Sequence, residues 1–329
     1  MYKNLKLAVV IPCYNVKNKI SKVLASIGQE VDCIYVIDDC CPEGTGNFVR
    51  NNFVDVRIKV ISHIQNAGVG GAVITGYQKA IEDGVDVIVK IDGDGQMNSS
   101  LITVFIDPIV DGLADYTKGN RFFNLESLSA MPRIRLIGNS FLSFLTKLSS
   151  GYWDVFDPTN GYTAINAAVA LDLPLHKINK GYFFESDMLF RLNILRAVVA
   201  DIPISALYGD EKSGLRISKI VIPFIWGHTK NLLKRIFYNY YLRDMSVASF
   251  ELPLGLGLFL FGAIFGLFHW ISAFSTGVAT PAGTVMIAAI SIIVGIQLLL
   301  SFLAYDISFV PRRPIGLAAI NKNFILKAP

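Results

Sequence analysis

Charge is what this 329-residue chain lacks most: 17% of its residues are Asp, Glu, Lys or Arg, against 52% hydrophobic. Its mean hydropathy of +0.47 is too high for an ordinary soluble enzyme. The shortage is local. Residues 1–251 hold nearly all the charged side chains, whereas 252–274 hold none and only His269 to titrate. Residues 284–305 hold no titratable group except the terminal Tyr305. At ~1.5 Å rise per residue, each run can cross a hydrocarbon core of about 30 Å as a helix. Cysteine is scarce too. Cys13, Cys33, Cys40 and Cys41 all fall early and lack the paired C-x-x-C spacing of a zinc site. Residues 1–6 run straight into a strand with no signal peptide, so reduced cytosolic thiols are expected. A dinucleotide fold is disfavoured because the first strand lacks a G-x-G-x-x-G turn, and a P-loop is missing as well. No basic run is interleaved with aromatics in the soluble part, which argues against nucleic acid.

The charges that are present orient the two spans. Lys230, Lys234, Arg235 and Arg243 precede the first; Arg312, Arg313, Lys322 and Lys327 follow the second; the connector 275–283 has none. The positive-inside bias puts both flanks in the cytoplasm, and a multi-pass protein of the inner (cytoplasmic) membrane is expected. The net charge of +4 then gathers where anionic head groups attract it. Four regions follow: a cytosolic domain over 1–220, juxtamembrane amphipathic helices over 221–251, a transmembrane hairpin over 252–305, and a cytosolic tail over 306–329.

The soluble part is organised around residues 86–96, Asp-Val-Ile-Val-Lys-Ile-Asp-Gly-Asp-Gly-Gln. Val87 to Ile91 has the β-branched character of a central parallel strand. It stops at Asp92, Asp94 and Gln96, hard oxygen donors of the kind Mg²⁺ or Mn²⁺ prefers. Taken alone, the stretch reads equally well as a polar turn. Strands at 5–11, 33–37, 57–61, 87–91 and 114–118 alternate with helices at 17–27, 46–51, from the loop 63–72 to 81, and 99–111. That alternation predicts a doubly wound α/β sheet, whose ligands bind at the carboxyl ends of the strands. Those ends carry Pro12-Cys13-Tyr14-Asn15, Asp38-Asp39, Asn66-Ala67-Gly68, Asp92-Gly93-Asp94 and Gly119-Asn120-Arg121. Each cluster alone can be a turn, a helix cap or a surface ion pair. Five such coincidences on one sheet edge predict a site.

These runs, with Asp157-Pro158-Thr159-Asn160-Gly161-Tyr162, the stretch 182–189 and Tyr208-Gly209-Asp210-Glu211-Lys212-Ser213, resemble family 2 glycosyltransferases of the GT-A fold. The likeness is to polyprenyl-phosphate glycosyltransferases, the dolichyl-phosphate mannose synthase group and its undecaprenyl-phosphate relatives, and covers roughly residues 5–220. The resemblance implies that Pro12, Tyr14, Asn15, Asp38, Asp39, Asn66, Gly68 and Asp92 bind the nucleotide sugar. It implies that Asp92, Asp94 and Gln96 bind the metal, Mg²⁺ or Mn²⁺. Arg121 matches the acceptor-phosphate arginine, with Arg133, Arg135, Ser213 and Arg216 as further candidates, and Asp94, Asp187 and Arg121 are the catalytic expectations. Glu185 stands on another helical face from Asp187. Three departures stand out: Asp187 where the family often has glutamate, Ala206 where dolichyl-type members carry arginine, and Cys40-Cys41 in place of Gly-Ser. Arg216 or Lys219 would replace the missing arginine.

The implied reaction moves a hexose from a nucleotide sugar, UDP-hexose in preference to GDP-mannose, to polyprenyl (undecaprenyl) phosphate for cell-envelope glycan or glycoconjugate assembly. A phosphate nucleophile is already anionic, so arginines to hold it matter more than a strong base, and single displacement would invert the anomeric carbon. Ile134, Ile137, Phe141, Phe144, Leu145 and Leu148 recur at helical spacing, and 220–241 mixes aromatics with basic residues. Both stretches fit amphipathic helices at the membrane surface. Gly255, Gly257, Gly262 and Gly266 line the first span, which would allow close contact with a second copy. The competing readings are a transferase acting on a glycan or other lipid, disfavoured by the lack of a Q-x-x-R-W motif, and an inactive membrane partner.

Overall fold

Short β-branched runs build the sheet, and the turns between them set its direction. In the computed structural model, which describes residues 1–123, 133–205 and 217–316 (backbone alone for 133–135 and 217–220), the first strands are β1 Leu7–Cys13, β2 Cys33–Asp38, β3 Ile58–Ser62 and β4 Val87–Lys90. They alternate with α1 Lys17–Ser26, α2 Thr45–Asn52 and α3 Gly68–Glu82. α1 buries Ile20, Val23 and Leu24, the face its spacing predicts. After α4 Ile102–Val110 come β5 Tyr116–Asn120, α5 Arg133–Ser150, β6 Thr163–Asn166, α6 Ala167–Asp172, α7 Phe184–Leu195 and β7 Val199–Pro203.

The seven strands lie in the order β3-β2-β1-β4-β6-β5-β7. β6 runs antiparallel to both neighbours, and the other pairs are parallel. The carboxyl ends of β1, β2, β3, β4 and β5 therefore share one edge. β1, β2 and β4 are buried almost throughout, which is why their runs are continuously apolar. Two strands, β6 and β7, extend the sheet beyond the five expected. The expected glycine-rich loop is also shorter than its sequence suggests, because Gly68 already begins α3.

The chain divides into two compact units, Met1–Leu232 with the chain from Pro311 onward, and Leu233–Val310. The division falls inside α8 Ile217–Phe237. In the first unit the chain beyond Pro311 is held by a side chain just before β5: the carboxylate of Asp115, fully buried, accepts the N–H groups of Val198, Ile315 and Gly316 at 2.7, 3.0 and 2.7 Å.

In the second unit, α9 Val247–Thr276 and α10 Ala282–Ser308 are both long and apolar enough to cross a membrane. Only 11% of the most apolar window of each is buried. The glycines of α9 serve the hairpin itself. A Cβ at Gly262 would lie 2.8 Å from the Ala288 carbonyl oxygen, and one at Gly295 2.6 Å from the Phe259 nitrogen. Small residues let the two backbones touch. Gly255 and Gly266 also face α10, so of the expected stripe Gly257 alone meets nothing within 4 Å. Arg235 and Asp306 form a buried ion pair, Nη1–Oδ1 2.6 Å and Nη2–Oδ2 3.0 Å, with the Tyr240 hydroxyl donating to Asp306 at 2.5 Å.

Candidate active site

The end of β4 places the first carboxylates. Ile91 N–H donates to the Val10 carbonyl at 3.1 Å, tying this end to β1. Asp94 Oδ1 accepts the N–H of Gln96 at 3.0 Å, which closes the turn. Burial raises the Asp94 pKa, and the neighbouring Asp92 raises it further. Asp92 is met by Lys90, whose Nζ stands 2.9 Å from Asp92 Oδ1 and 3.2 Å from Glu185 Oε1. Burial works against the Lys90 ammonium, but attraction to Asp92 and Glu185 outweighs it and holds its pKa above the ordinary value. Glu185 is pushed upward by burial, against the pull of Lys90. Leaving one member of such a group uncompensated costs roughly 3–5 kcal/mol. Gly161 covers the cluster: a Cβ there would lie 2.6 Å from Asp92 Oδ2 and closer still to Lys90 Nζ.

Both Lys90 and Glu185 lie within the motif stretches, but the sequence assigns a site role to neither. Glu185 and Asp187 stand two apart on α7, about 200° around the helix, so one at most can face β4. Glu185 does. Asp187, 4% exposed, accepts the N–H of Asn179 at 2.9 Å, Arg191 Nε at 3.0 Å and Asn231 Nδ2 at 3.0 Å. The structure does not bring Asp187 to Asp92 and Asp94; it gives it the task of joining α7 to α8.

At the β1 and β2 ends, both expected aspartates have partners already. Asp38 accepts the N–H groups of Cys41 at 2.7 Å and Gly46 at 2.5 Å, fastening the start of α2. Asp39 accepts His63 Nδ1 at 2.7 Å and the N–H groups of Ala67 at 2.7 Å and Gly68 at 2.9 Å. It thereby caps α3 from a distant strand. His63 also meets the Thr75 hydroxyl at 2.9 Å, a link that only the fold reveals. Asn66 donates to the Asp39 carbonyl at 3.2 Å and accepts Gly68 N–H at 3.1 Å. Gly68 sits at φ +81° against the Lys180 carbonyl, where a side chain would be strained. Pro12 is half-buried, while Tyr14 and Asn15 are exposed beside it, so this end of the edge is open. The Cys41 thiol lies under it, accepting Asn15 N–H at 3.2 Å. Burial opposes its ionisation, but hydrogen bonds from Thr45, Asn15 and Glu43 prevail and lower its pKa.

At the β5 end, Arg121 grips Asp157 with two nitrogens, Nε–Oδ2 2.7 Å and Nη2–Oδ1 2.7 Å. Asp157 is 1% exposed; burial raises its pKa, but Arg121 and Lys118 more than reverse that. Lys118, fully buried, donates to the Asp157 carbonyl, and burial lowers its pKa. Asn120 reaches Asp201 on β7 at 2.7 Å. Arg121 is therefore fixed in direction before any ligand arrives. Of the other expected phosphate ligands, Ser213 and Arg216 lie outside the described residues, as do the side chains of Arg133 and Arg135.

Beside α7 the helices α5 and α8 are inverted in character. α5 buries Ser143, Thr146, Ser149 and Ser150 and turns Ile137, Phe141 and Phe144 outward at 70, 59 and 50% exposure. α8 buries His228 and Asn231 and exposes Ile222 and Trp226. The Ser149 hydroxyl and His228 Nδ1 are 2.8 Å apart, and the His228 ring packs edge-on against Phe183 and Phe224. Such an exposed apolar face marks an interaction surface.

Among the described residues no three His, Cys, Asp or Glu side chains converge as a metal cage. A magnesium-type ion does not need one, since one or two carboxylates plus substrate phosphates suffice. Asp92, Asp94 and Gln96 on one tight turn fit that donor set.

The fold and these motifs have known counterparts. The pattern of Glycosyl transferase family 2 matches residues 8–173. The chain belongs to this family and is a glycosyltransferase. It is 31% identical over 230 residues to the UDP-N-acetylglucosamine–dolichyl-phosphate N-acetylglucosaminyltransferase of Methanococcus voltae, covering 66% of this chain and 91% of that one. It is 27% identical to the undecaprenyl-phosphate mannosyltransferase of Micrococcus luteus, over 61% of this chain and 83% of the other. Among solved structures, glucosyl-3-phosphoglycerate synthase from Mycobacterium tuberculosis, in complex with Mn²⁺, UDP-glucose and phosphoglyceric acid, superposes with a TM-score of 0.52 at 18% identity. That match covers 70% of this chain and 80% of the other, and it is a likeness of fold.

Proposed function

We propose that this glycosyltransferase moves a hexose from a UDP-sugar to the phosphate of a polyprenyl phosphate, with its catalytic unit on the cytoplasmic side of the membrane. The observation that carries the reading is the helix pair α5 and α8. Both pack beside α7, which carries Glu185 of the carboxylate cluster, and both turn an apolar face outward. An acceptor whose phosphate is water-loving and whose chain is lipid suits that junction. The two relatives named for dolichyl and undecaprenyl phosphates support it.

In this reading Asp92, Asp94 and Gln96 hold a Mg²⁺ or Mn²⁺ ion, which when bound would neutralise charge on the departing diphosphate. The open β1–β2 edge at Pro12, Tyr14 and Asn15 receives the nucleotide, while Asp38 and Asp39 keep its loops in place. Arg121, aimed by Asp157, orients the acceptor phosphate. Its oxygen is already anionic, so the residues position and exclude water rather than abstract a proton. One in-line displacement would invert the anomeric carbon.

Purified protein mixed with a panel of nucleotide sugars and polyprenyl phosphates of different length is the direct test. Labelled sugar should move to the lipid phosphate from a UDP donor. Transfer to a protein or glycan, with none to any lipid phosphate, would overturn the reading.

A further inference from the structure

A buried ammonium is costly unless its charge is met, and Lys90 is 1% exposed at the end of β4. It is met twice, by Asp92 on the turn and by Glu185 on α7. Gly161 packs against the same group, so there is no slack for Lys90 to leave by. Asp92, Asp94 and Glu185 bring three negative charges and Lys90 one positive, which leaves two, the charge of one divalent cation. Lys90 also engages one oxygen of Asp92, Oδ1, and so fixes that carboxylate as a one-sided ligand.

We propose that Lys90 is a positioning residue acting as a built-in counter-ion. It caps the negative charge around Asp92 and Asp94, so that the site takes a single divalent cation weakly until a nucleoside diphosphate adds its own charge. The proposal rests on the metal reading of Asp92 and Asp94 given above. Its physical content is a sign. A fixed ammonium touching a metal ligand repels the incoming ion, so removing it tightens metal binding, whereas removing a mere scaffold residue loosens it. Even at the dielectric constant of bulk water, a unit charge ~5 Å from a divalent ion shifts affinity roughly 10-fold.

The experiment is Mn²⁺ binding followed by electron paramagnetic resonance, with and without UDP, for four full-length proteins: wild type, Lys90→Met, Glu185→Gln and the double variant. Without UDP, Lys90→Met should bind Mn²⁺ roughly 10-fold more tightly and Glu185→Gln weaker by a similar factor. The double variant should return to within about threefold of wild type, because both charges of the pair are gone. The gain in Mn²⁺ affinity on adding UDP should shrink in Lys90→Met. Weaker binding in all three variants would overturn the proposal and leave Lys90 a scaffold residue. Should the single variants fail to fold by circular dichroism, the double variant decides alone: near-wild-type affinity upholds the counter-ion, and a loss beyond 10-fold overturns it. A wild type that binds Mn²⁺ neither alone nor with UDP removes the metal reading itself, and this proposal with it.

Discussion

Asp94 holds its turn through Gln96 N–H and keeps its carboxylate next to Asp92, so at this position a turn former and the proposed cation ligand coincide. Replacing it with alanine keeps the flexible glycines on either side and removes one of two carboxylates. Transfer of labelled sugar to lipid phosphate should fall by about 10²–10³-fold, the scale of losing one preorganised charge-stabilising group, while the melting midpoint stays put. A variant that keeps more than a tenth of wild-type transfer would sink the assignment. The sequence makes Asp92 and Asp94 legible because they end an apolar run where parallel sheets keep their ligands. Lys90 was harder to read, though a signal existed: a lone charge inside a β-branched run must find partners if the strand is central. Which of Glu185 and Asp187 faces the sheet depends on the rotation of α7. No spacing within one helix fixes that.

At the scale of elements, α5 and α8 show how a correct period can leave the decisive fact open. The recurrence of Ile137, Phe141 and Phe144 defines a helical face, but whether that face turns inward or outward depends on the solvent beyond it. Here the polar face is the buried one. His228 makes this testable, since it faces Ser149, Phe183 and Phe224, and burial drives its pKa down to about 4. Above pH 6.5 it is neutral folded and unfolded, and it contributes nothing to pH dependence. As pH falls from 6.5 to 4 the unfolded chain takes up the proton and the folded one does not. Stability is therefore lost over that window, by about 3 kcal/mol in all, and the term is constant below it. Denaturant melts of wild type and His228→Gln between pH 7.5 and 4.5 should diverge accordingly, the variant having the flatter profile. Parallel profiles would show that His228 titrates normally. The missed strands β6 and β7 have a simpler cause. β6 is Thr-Ala-Ile-Asn, with polar residues at both ends, and β7 breaks its apolar residues with Ala200-Asp201 and closes on Pro203, so neither shows the continuous β-branched run that marks β4.

For the molecule as a whole, the two charge-free runs anticipate the two long apolar helices. α9 and α10 extend the runs by two to five residues at each end, to 30 and 27 residues. What the sequence hid is that the chain beyond the second long helix returns to the catalytic unit. Asp115 accepts three backbone N–H groups, two of them from Ile315 and Gly316, and no local pattern links positions 200 residues apart. Asp115→Ala should lower the melting midpoint of the catalytic unit by roughly 10–20 °C, since it removes three charged hydrogen bonds worth about 1.5–3 kcal/mol each and a unit of this size shifts by about 2 °C per kcal/mol. Differential scanning calorimetry or a thermal trypsin-resistance assay on membranes would read it, and an unchanged midpoint would reduce the strap to a passive contact. The same bonds carry a consequence for biosynthesis. Domains fold as they emerge, N-terminal parts first. The ribosome delivers β5 early, yet its Asp115 must wait for residues made only after both long helices have been synthesised. The catalytic unit is thus finished last, after the ribosome has released the helices that would anchor it.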